Sequence, residues 1–273
     1  MEDFRGRVAV VTGAGSGIGR ALCVQLAAAG ARVALSDRNP EGLAATLALL
    51  DGPGHKAYVL DVTAREAVFA HAAEVQADMG AVHYLFNNAG ATIMGSFEQL
   101  SIEEIEWQLN VNLWGVIYVA KAFLPGMLAA RAGCIVNISS VFGMIGFPLQ
   151  SAYNISKFGV RGLTECLWSE LEGTGVRAVS VHPGGIRTGI AKTAVFAARA
   201  GEAERALFAE ADAMLITPPE DCARDILDGV RAGKPRILTG NRARTIWWIS
   251  RFFPDNYPAI LRRIAGKPPH TGA

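Results

Sequence analysis

Tyr153 and Lys157 stand four residues apart in the segment SAYNISKFG, a spacing that puts a phenol and an ammonium on one face of a helical turn. An unperturbed tyrosine holds its proton up to a pH of about 10. A neighbouring cation favours the phenolate, so the pair offers a base for alcohol oxidation or, in the reverse direction, an acid for carbonyl reduction. An ordinary surface helix can show the same spacing, so the chemistry needs support elsewhere in the chain.

That support comes from RVAVVTGAGSGIGRAL, where an apolar β-branched run meets Gly13, Gly17 and Gly19 and then a helix, with Ser16 and Ile18 inside the turn. Small residues there let the backbone approach a pyrophosphate, and the free N–H groups of the first helical turn favour its charge. The spacing is T-G-x-x-x-G-x-G rather than the common dinucleotide fingerprint G-x-G-x-x-G. Asp37 closes the next apolar run, where a carboxylate can accept both hydroxyls of an adenosine ribose and repel a 2′-phosphate. This favours NAD. Arg38 beside it could pair with the extra phosphate of NADP, which keeps that cofactor open.

With these motifs go Asp61-Val62, Asn87-Asn88-Ala89-Gly90, Asn112, Ser140 and Pro183-Gly184, in order along nearly the whole chain. The set resembles the short-chain dehydrogenase/reductase superfamily. That resemblance implies a seven-stranded doubly wound parallel sheet of Rossmann type, in strand order 3-2-1-4-5-6-7. It implies Tyr153 as acid/base, Lys157 lowering its pKa and bonding the nicotinamide ribose, and Ser140, in preference to Ser139, holding the substrate oxygen. Asn112 would keep a water that links Lys157 to solvent, while Asn110 matches the pattern less well. Asp61 and Val62 would flank the adenine, and Asn88, Ala89 and Gly90 would line the cofactor while Asn87 braces the central sheet. Pro183, Gly184, Ile186 and Thr188 would hold the nicotinamide carboxamide. Ser16 adds modest weight to NAD, since NADP users in the family often carry a basic residue there. A different class of protein, a dinucleotide-binding regulator or scaffold without turnover, would be expected to have lost one of Asn112, Ser140, Tyr153 or Lys157.

The elements that must position these residues are legible in the pattern. Val/Ile/Ala-rich runs near residues 7–12, 32–36, 56–60, 82–86, 133–138, 176–182 and 235–238 alternate with segments of helical period, predicting βαβ units and one α/β domain. The motifs then fall at the carboxyl ends of strands. Of the 273 residues 51% are hydrophobic and 19% charged, enough to cover a sheet on both faces. Lys+Arg 26 against Asp+Glu 25 gives no global field for nucleic acid. Cys23, Cys134, Cys166 and Cys222 form no metal or redox spacing and read as buried thiols, and the five histidines show no ligand pattern. No signal peptide precedes the first strand and no apolar run approaches about 18 residues, which predicts a cytoplasmic protein. Ser101 with Glu104 predicts a capping box opening a long helix towards Gly126, so its glutamates are cap and solvated face. Ile105, Leu109, Leu113, Val116, Ile117 and Ala120 give that helix more apolar surface than one sheet face can cover. The resemblance implies that it and helix 152–172 pair between subunits of a homodimer or homotetramer.

The resemblance implies that substrate choice falls to a lid over about residues 187–217. There Ile190, Val195, Phe196, Leu207, Phe208, Met214 and Leu215, with Met94, Phe142, Ile145 and Phe147 nearby, predict an apolar pocket for a hydrophobic secondary alcohol or ketone. Apart from Arg187 and Lys192, no residue there promises recognition of a carboxylate or phosphate. The dehydrogenase domain is assigned to 1–240 and an extension to 241–273, where Trp247, Trp248, Phe252, Phe253 and Tyr257 alternate with Arg242, Arg244, Arg251, Arg262 and Arg263. Packing across the substrate entrance or on a neighbouring subunit is the favoured reading of that extension, and membrane-surface contact the alternative.

Overall fold

Seven of the apolar runs form strands of a single parallel sheet whose central members are buried on both faces. The computed structural model describes residues 3–189, 194–202, 204–206 and 215–265. In chain order the strands are β1 (Val8–Thr12), β2 (Arg32–Asp37), β3 (Lys56–Val59), β4 (Tyr84–Asn87), β5 (Ile93–Met94), β6 (Gly133–Ile138), β7 (Val176–Gly184), β8 (Val195–Phe196) and β9 (Arg236–Gly240). The main sheet runs β3-β2-β1-β4-β6-β7-β9, the expected order, and each expected strand lies within a few residues of its predicted bounds. The chain winds outward from β1 to β3, then returns to β4 on the other side of β1. That reversal opens a crevice beyond the carboxyl ends of β1 and β4. The short parallel pair β5–β8 was not expected from the sequence.

The period of two in the strands sorts their side chains into two layers. Ala9 and Val11 join Leu22 and Leu26 of α1 (Gly17–Ala28), Leu43 of α2 (Pro40–Leu47), and Ile226 and Leu227 of the helix preceding β9. Val8 and Val10 face the other way, onto Val68 and Val75 of α3 (Arg65–Met79) and the helices that follow β5 and β6. Each such side chain removed from water contributes roughly 1.5–3 kcal/mol.

The long helix has the predicted capping box. The Ser101 hydroxyl accepts the Glu104 N–H at 3.2 Å, and the Glu104 carboxylate accepts the Ser101 N–H at 2.9 Å. It runs further than expected and is not α-helical throughout: α4 (Ile102–Leu109) and α5 (Gly115–Ala130) are joined by a π-helical turn over Asn110–Trp114. By length and composition Ile102–Ala130 could cross a membrane, contrary to the expectation of no such run. Here it is a layer helix, burying Val116, Val119, Phe123 and Met127. The chain continues through α6 (Ser151–Glu170), α7 (Pro219–Arg231), α8 (Ala243–Phe252) and α9 (Tyr257–Ala265). Cys23, Cys134 and Cys222 are buried as expected, but Cys166 on α6 is exposed, because its position falls on the outer face of that helix.

Candidate active site

Beyond β1 the backbone turns through Gly13, whose φ of +66° is costly for any residue with a Cβ. A Cβ there would also lie 2.8 Å from Ala89 Cα, so the turns after β1 and β4 are in direct contact. Asn88 locks them together: its Nδ2 donates to the carbonyls of Thr12 (3.0 Å) and Gly13 (3.2 Å). Thr12 Oγ1 accepts the N–H groups of both Asn88 and Ala89 at 3.1 Å. A Cβ on Gly19 would fall 2.0 Å from the Gly13 carbonyl oxygen, so glycine is what lets α1 start this close to β1. Ser16 is the N-cap residue but makes no side-chain cap, and the first turn of α1 contains no acid. The N–H groups of Gly17, Ile18 and Gly19 therefore stay available to an anion.

Asp37, at the end of β2, accepts the Gly15 N–H through Oδ2 and the Asn39 N–H through Oδ1, both at 2.9 Å. Its carboxylate thus faces the glycine turn, while Arg38 is exposed beside it. Arg20, a second cation at this edge, is held by Thr46 Oγ1 at 2.9 Å and the Gly15 carbonyl. Asp61 is exposed, with Oδ1 taken by the N–H (2.9 Å) and hydroxyl (2.8 Å) of Thr63, and Val62 is buried. Past β7, with Pro183 and Gly184 at its end, Ile186 is buried and Thr188 lies against the glycine turn, where a Cβ on Gly17 would come within 3.2 Å of Thr188 Cβ. These residues form a cradle of close-set backbone, helix N–H groups and a carboxylate turned to the glycine turn. It fits a dinucleotide.

The second cluster adjoins it. Lys157 is buried, donates to the Ile138 carbonyl at 2.9 Å and sits 5.6 Å from the centre of the Tyr153 ring. A Cβ on Gly90 would lie 3.4 Å from Asn112 Oδ1 and 3.7 Å from Lys157 Nζ, so Gly90, Asn112 and Lys157 converge. Asn112 lies in the π-helical turn, a distortion often found at functional sites. Its Oδ1 accepts the Ala91 N–H at 2.8 Å, and its Nδ2 donates to the Ala91 carbonyl at 2.9 Å and to Ser156 Oγ at 3.3 Å. Asn87 Nδ2 bridges to Asn137 Oδ1 at 2.8 Å across the sheet, as expected of a brace.

The Ser140 hydroxyl lies near enough to the Tyr153 phenol to favour its ionised form, whereas Ser139 donates to the Lys157 carbonyl at 2.8 Å and serves to seat α6. Burial pushes the Tyr153 phenol up to about 12, opposed in part by Ser140, and burial pushes Lys157 down to about 8.

Three supporting residues escaped the sequence reading. Asn154 holds the loop that follows Ser140 through Nδ2 to the carbonyls of Phe142 and Ile145, both at 2.7 Å, and through Oδ1 to the Phe147 N–H at 3.2 Å. Gln108, fully buried, ties the segment after Gly90 to α4 through the Ile93 N–H (2.7 Å) and the Ala91 carbonyl (2.8 Å). His182, also fully buried, places Nδ1 3.0 Å from the Ser140 carbonyl and Nε2 2.9 Å from Ser180 Oγ. A carbonyl can only accept, so Nδ1 carries the proton and Nε2 accepts from Ser180. An amide or imidazole inside a helix or strand was the available signal for all three.

Burial lowers His182 to about 4, and does the same to His71, which bonds Ser36 Oγ at 2.9 Å. Both are neutral in the folded chain while the unfolded chain protonates them near pH 6.5. The stability they contribute is therefore full above 6.5 and is lost as pH falls towards 4, by up to roughly 3 kcal/mol per histidine. Urea midpoints measured from pH 7 to 4 should fall with that sign, and His182→Gln should flatten the slope.

The aromatic wall of the site is Phe142, edge-on to Tyr153 (6.2 Å) and stacked on Phe147 (4.6 Å). Met94 and Ile145, expected to line the pocket, are buried. In the lid region Phe196 pairs through β8 with β5, Val195 is exposed and Leu215 is half-buried. Ile190, Lys192, Leu207, Phe208 and Met214 lie outside the described residues. Among the described residues there is no group of three metal-ligating side chains.

The short chain dehydrogenase family profile matches residues 7–197. The oxidoreductase SadH of Mycobacterium tuberculosis is 43% identical over 266 residues, covering 96% of each chain. Cyclohexanol dehydrogenase of an Acinetobacter species is 40% identical over 68% of this chain and 76% of its own. A crystal structure of a short-chain dehydrogenase/reductase from Burkholderia phymatum in complex with NAD superposes with a TM-score of 0.84 over the full length of both chains, at 29% identity.

Proposed function

The chain belongs to the short-chain dehydrogenase/reductase family, and from that premise we propose that it is an NAD-preferring oxidoreductase that interconverts hydrophobic secondary alcohols and ketones. The observation that carries this reading is the meeting of Tyr153, Lys157 and Ser140 beside a cradle fitted to a dinucleotide. The pyrophosphate would rest on Gly13, Ser16, Gly17, Ile18 and Gly19, the adenosine ribose on Asp37, and the adenine between Asp61 and Val62. Asn88, Ala89, Gly90, Pro183, Gly184, Ile186 and Thr188 would border the nicotinamide half. When bound, the nicotinamide supplies or accepts the hydride at the substrate carbon.

Tyr153 exchanges a proton with the substrate oxygen, giving it up in ketone reduction and taking it in alcohol oxidation. Ser140 holds that oxygen, with its own backbone fixed by His182. Lys157 presents its positive charge to the phenol and Asn112 keeps the turn at Gly90 and Ala91 in place beside it. Phe142 and Phe147 favour an apolar substrate, and the likeness to cyclohexanol dehydrogenase points the same way. A panel of hydrophobic alcohols and ketones with NAD(H) and NADP(H), followed by nicotinamide absorbance, tests the reading. Absence of turnover across the panel by a chain that binds NAD would favour the silent binder instead.

We also propose a homodimer or homotetramer built on α5 and α6. Trp114, stacked on Tyr118, is 46% exposed, and Ile155 and Phe158 are exposed on the neighbouring helix, a face too apolar to be left to water. Trp114→Asp combined with Phe158→Asp should convert the assembly to monomers by sedimentation velocity. An unchanged mass would place the interface elsewhere.

A further inference from the structure

Helix α8 is divided lengthwise. One side is spent on the protein: Ala243 is buried, Ile246 and Trp247 pack on the cluster of Val141 and Met144, and the Trp247 ring lies 4.3 Å from the Arg236 guanidinium and 5.8 Å from that of Arg161. Those arginines share the Glu165 carboxylate, so this side is anchored to α6 and β9. The other side carries Trp248 and Phe252, 55% and 67% exposed and stacked on each other at 5.4 Å, with Phe253 52% exposed at the helix end. Arg244 and Arg251 are exposed on the same side, one turn from these rings, and Arg242 just before the helix is exposed as well.

The charge is as lopsided as the exposure. Residues 242–265 hold five arginines and one aspartate, whereas the remaining 249 residues hold 21 lysines and arginines against 24 acids. The chain as a whole is almost neutral, so the basic charge is concentrated where the aromatic rings project. A second copy of the chain is a poor occupant of this face, because a two-fold contact through α8 would set Arg244 and Arg251 against their own counterparts. An anionic bilayer suits it. Indole and phenyl rings settle at headgroup depth, while guanidinium groups on long stems reach lipid phosphates at the same level.

We propose that the outer side of α8, with Phe253, docks the protein on anionic lipid surfaces. The docked face adjoins the active site: α9 follows directly, and its Tyr257 hydroxyl accepts the Gly146 N–H at 2.8 Å from the loop that carries Phe142 and Phe147. A membrane-bound molecule would therefore present the substrate side of the enzyme towards the bilayer, where apolar alcohols and ketones concentrate.

The test is flotation of the intact chain with phosphatidylcholine vesicles, with and without phosphatidylglycerol. The expected result is binding to the anionic vesicles, weakened at high salt. Trp248→Ala/Phe252→Ala/Phe253→Ala and, separately, Arg244→Glu/Arg251→Glu should each lower partitioning by about tenfold or more, with Tm, assembly mass and NAD affinity unchanged. Failure of the intact chain to float with anionic vesicles, or flotation of the aromatic variant equal to that of the intact chain, overturns the proposal. A fall in assembly mass in the aromatic variant would assign the face to a second copy, and equal retention of both variants' parent on DNA without dependence on the rings would assign it to a polyanion; either overturns it. Binding is read without turnover, so the result stands apart from the proposed oxidoreductase activity.

Discussion

Tyr153→Phe is expected to lower turnover by roughly 10²–10⁴-fold in both reaction directions while NAD affinity, read by fluorescence titration, stays within about twofold. The phenol oxygen is the only part of the side chain removed, and the other acid/base side chain bonded to Ser140, His182, meets its backbone carbonyl and not its hydroxyl. The ring contact with Phe142 at 6.2 Å is kept, and Ser140 Oγ retains the Phe142 N–H at 3.1 Å, so the fold loses no more than one modest hydrogen bond. An unchanged Tm with lost turnover is thus the signature of a chemical role. Full activity in the variant would remove Tyr153 from the reaction. The pH profile adds a second readout: with Lys157 pushed down to about 8, its charge fades above that pH, and steps that rely on an ammonium beside the phenol should weaken as pH rises through it.

The separation of chemistry from stability at Tyr153 reflects what kinds of information the chain carries openly. Strands such as Val8–Thr12 and Gly133–Ile138 are buried on both faces, so they appear as unbroken apolar runs, and the reversal between β3 and β4 places their ends together. The Ser101–Glu104 box announces its helix because both partners lie three residues apart. The β5–β8 pair was illegible for the opposite reason: two residues per strand carry no period, and the pairing joins positions about a hundred residues apart. The π-helical turn at Asn112 adds one residue to a helix whose apolar stripe remains intact on either side, which leaves no trace in the pattern. The Asn88 amide also fuses two turns, a role visible only once β1 and β4 are neighbours. Spacing puts the phenol and the ammonium on one helix face, whereas their depth of burial follows from how α6 packs and leaves no mark on that spacing.

Asp37→Ser is expected to cut kcat/KM with NAD by roughly 10–100-fold and to raise that with NADP, since each hydrogen bond to a charged group is worth about 1.5–3 kcal/mol. The carboxylate faces the glycine turn through Gly15 and its own following turn through Asn39, so it is already oriented where a ribose would lie. A serine hydroxyl can accept one of those N–H groups but cannot offer two anionic acceptors, and it no longer repels a 2′-phosphate. Two cations then compete to bind that phosphate. Arg20 is committed to Thr46 and the Gly15 carbonyl, whereas Arg38 is exposed beside the same edge, so the gain with NADP should disappear in Asp37→Ser/Arg38→Leu. Steady-state kinetics with both cofactors reads all three expectations. Equal kcat/KM for NAD in the parent and Asp37→Ser would show that the carboxylate serves only the backbone turns it bonds, and would move the source of cofactor choice to another part of the cradle.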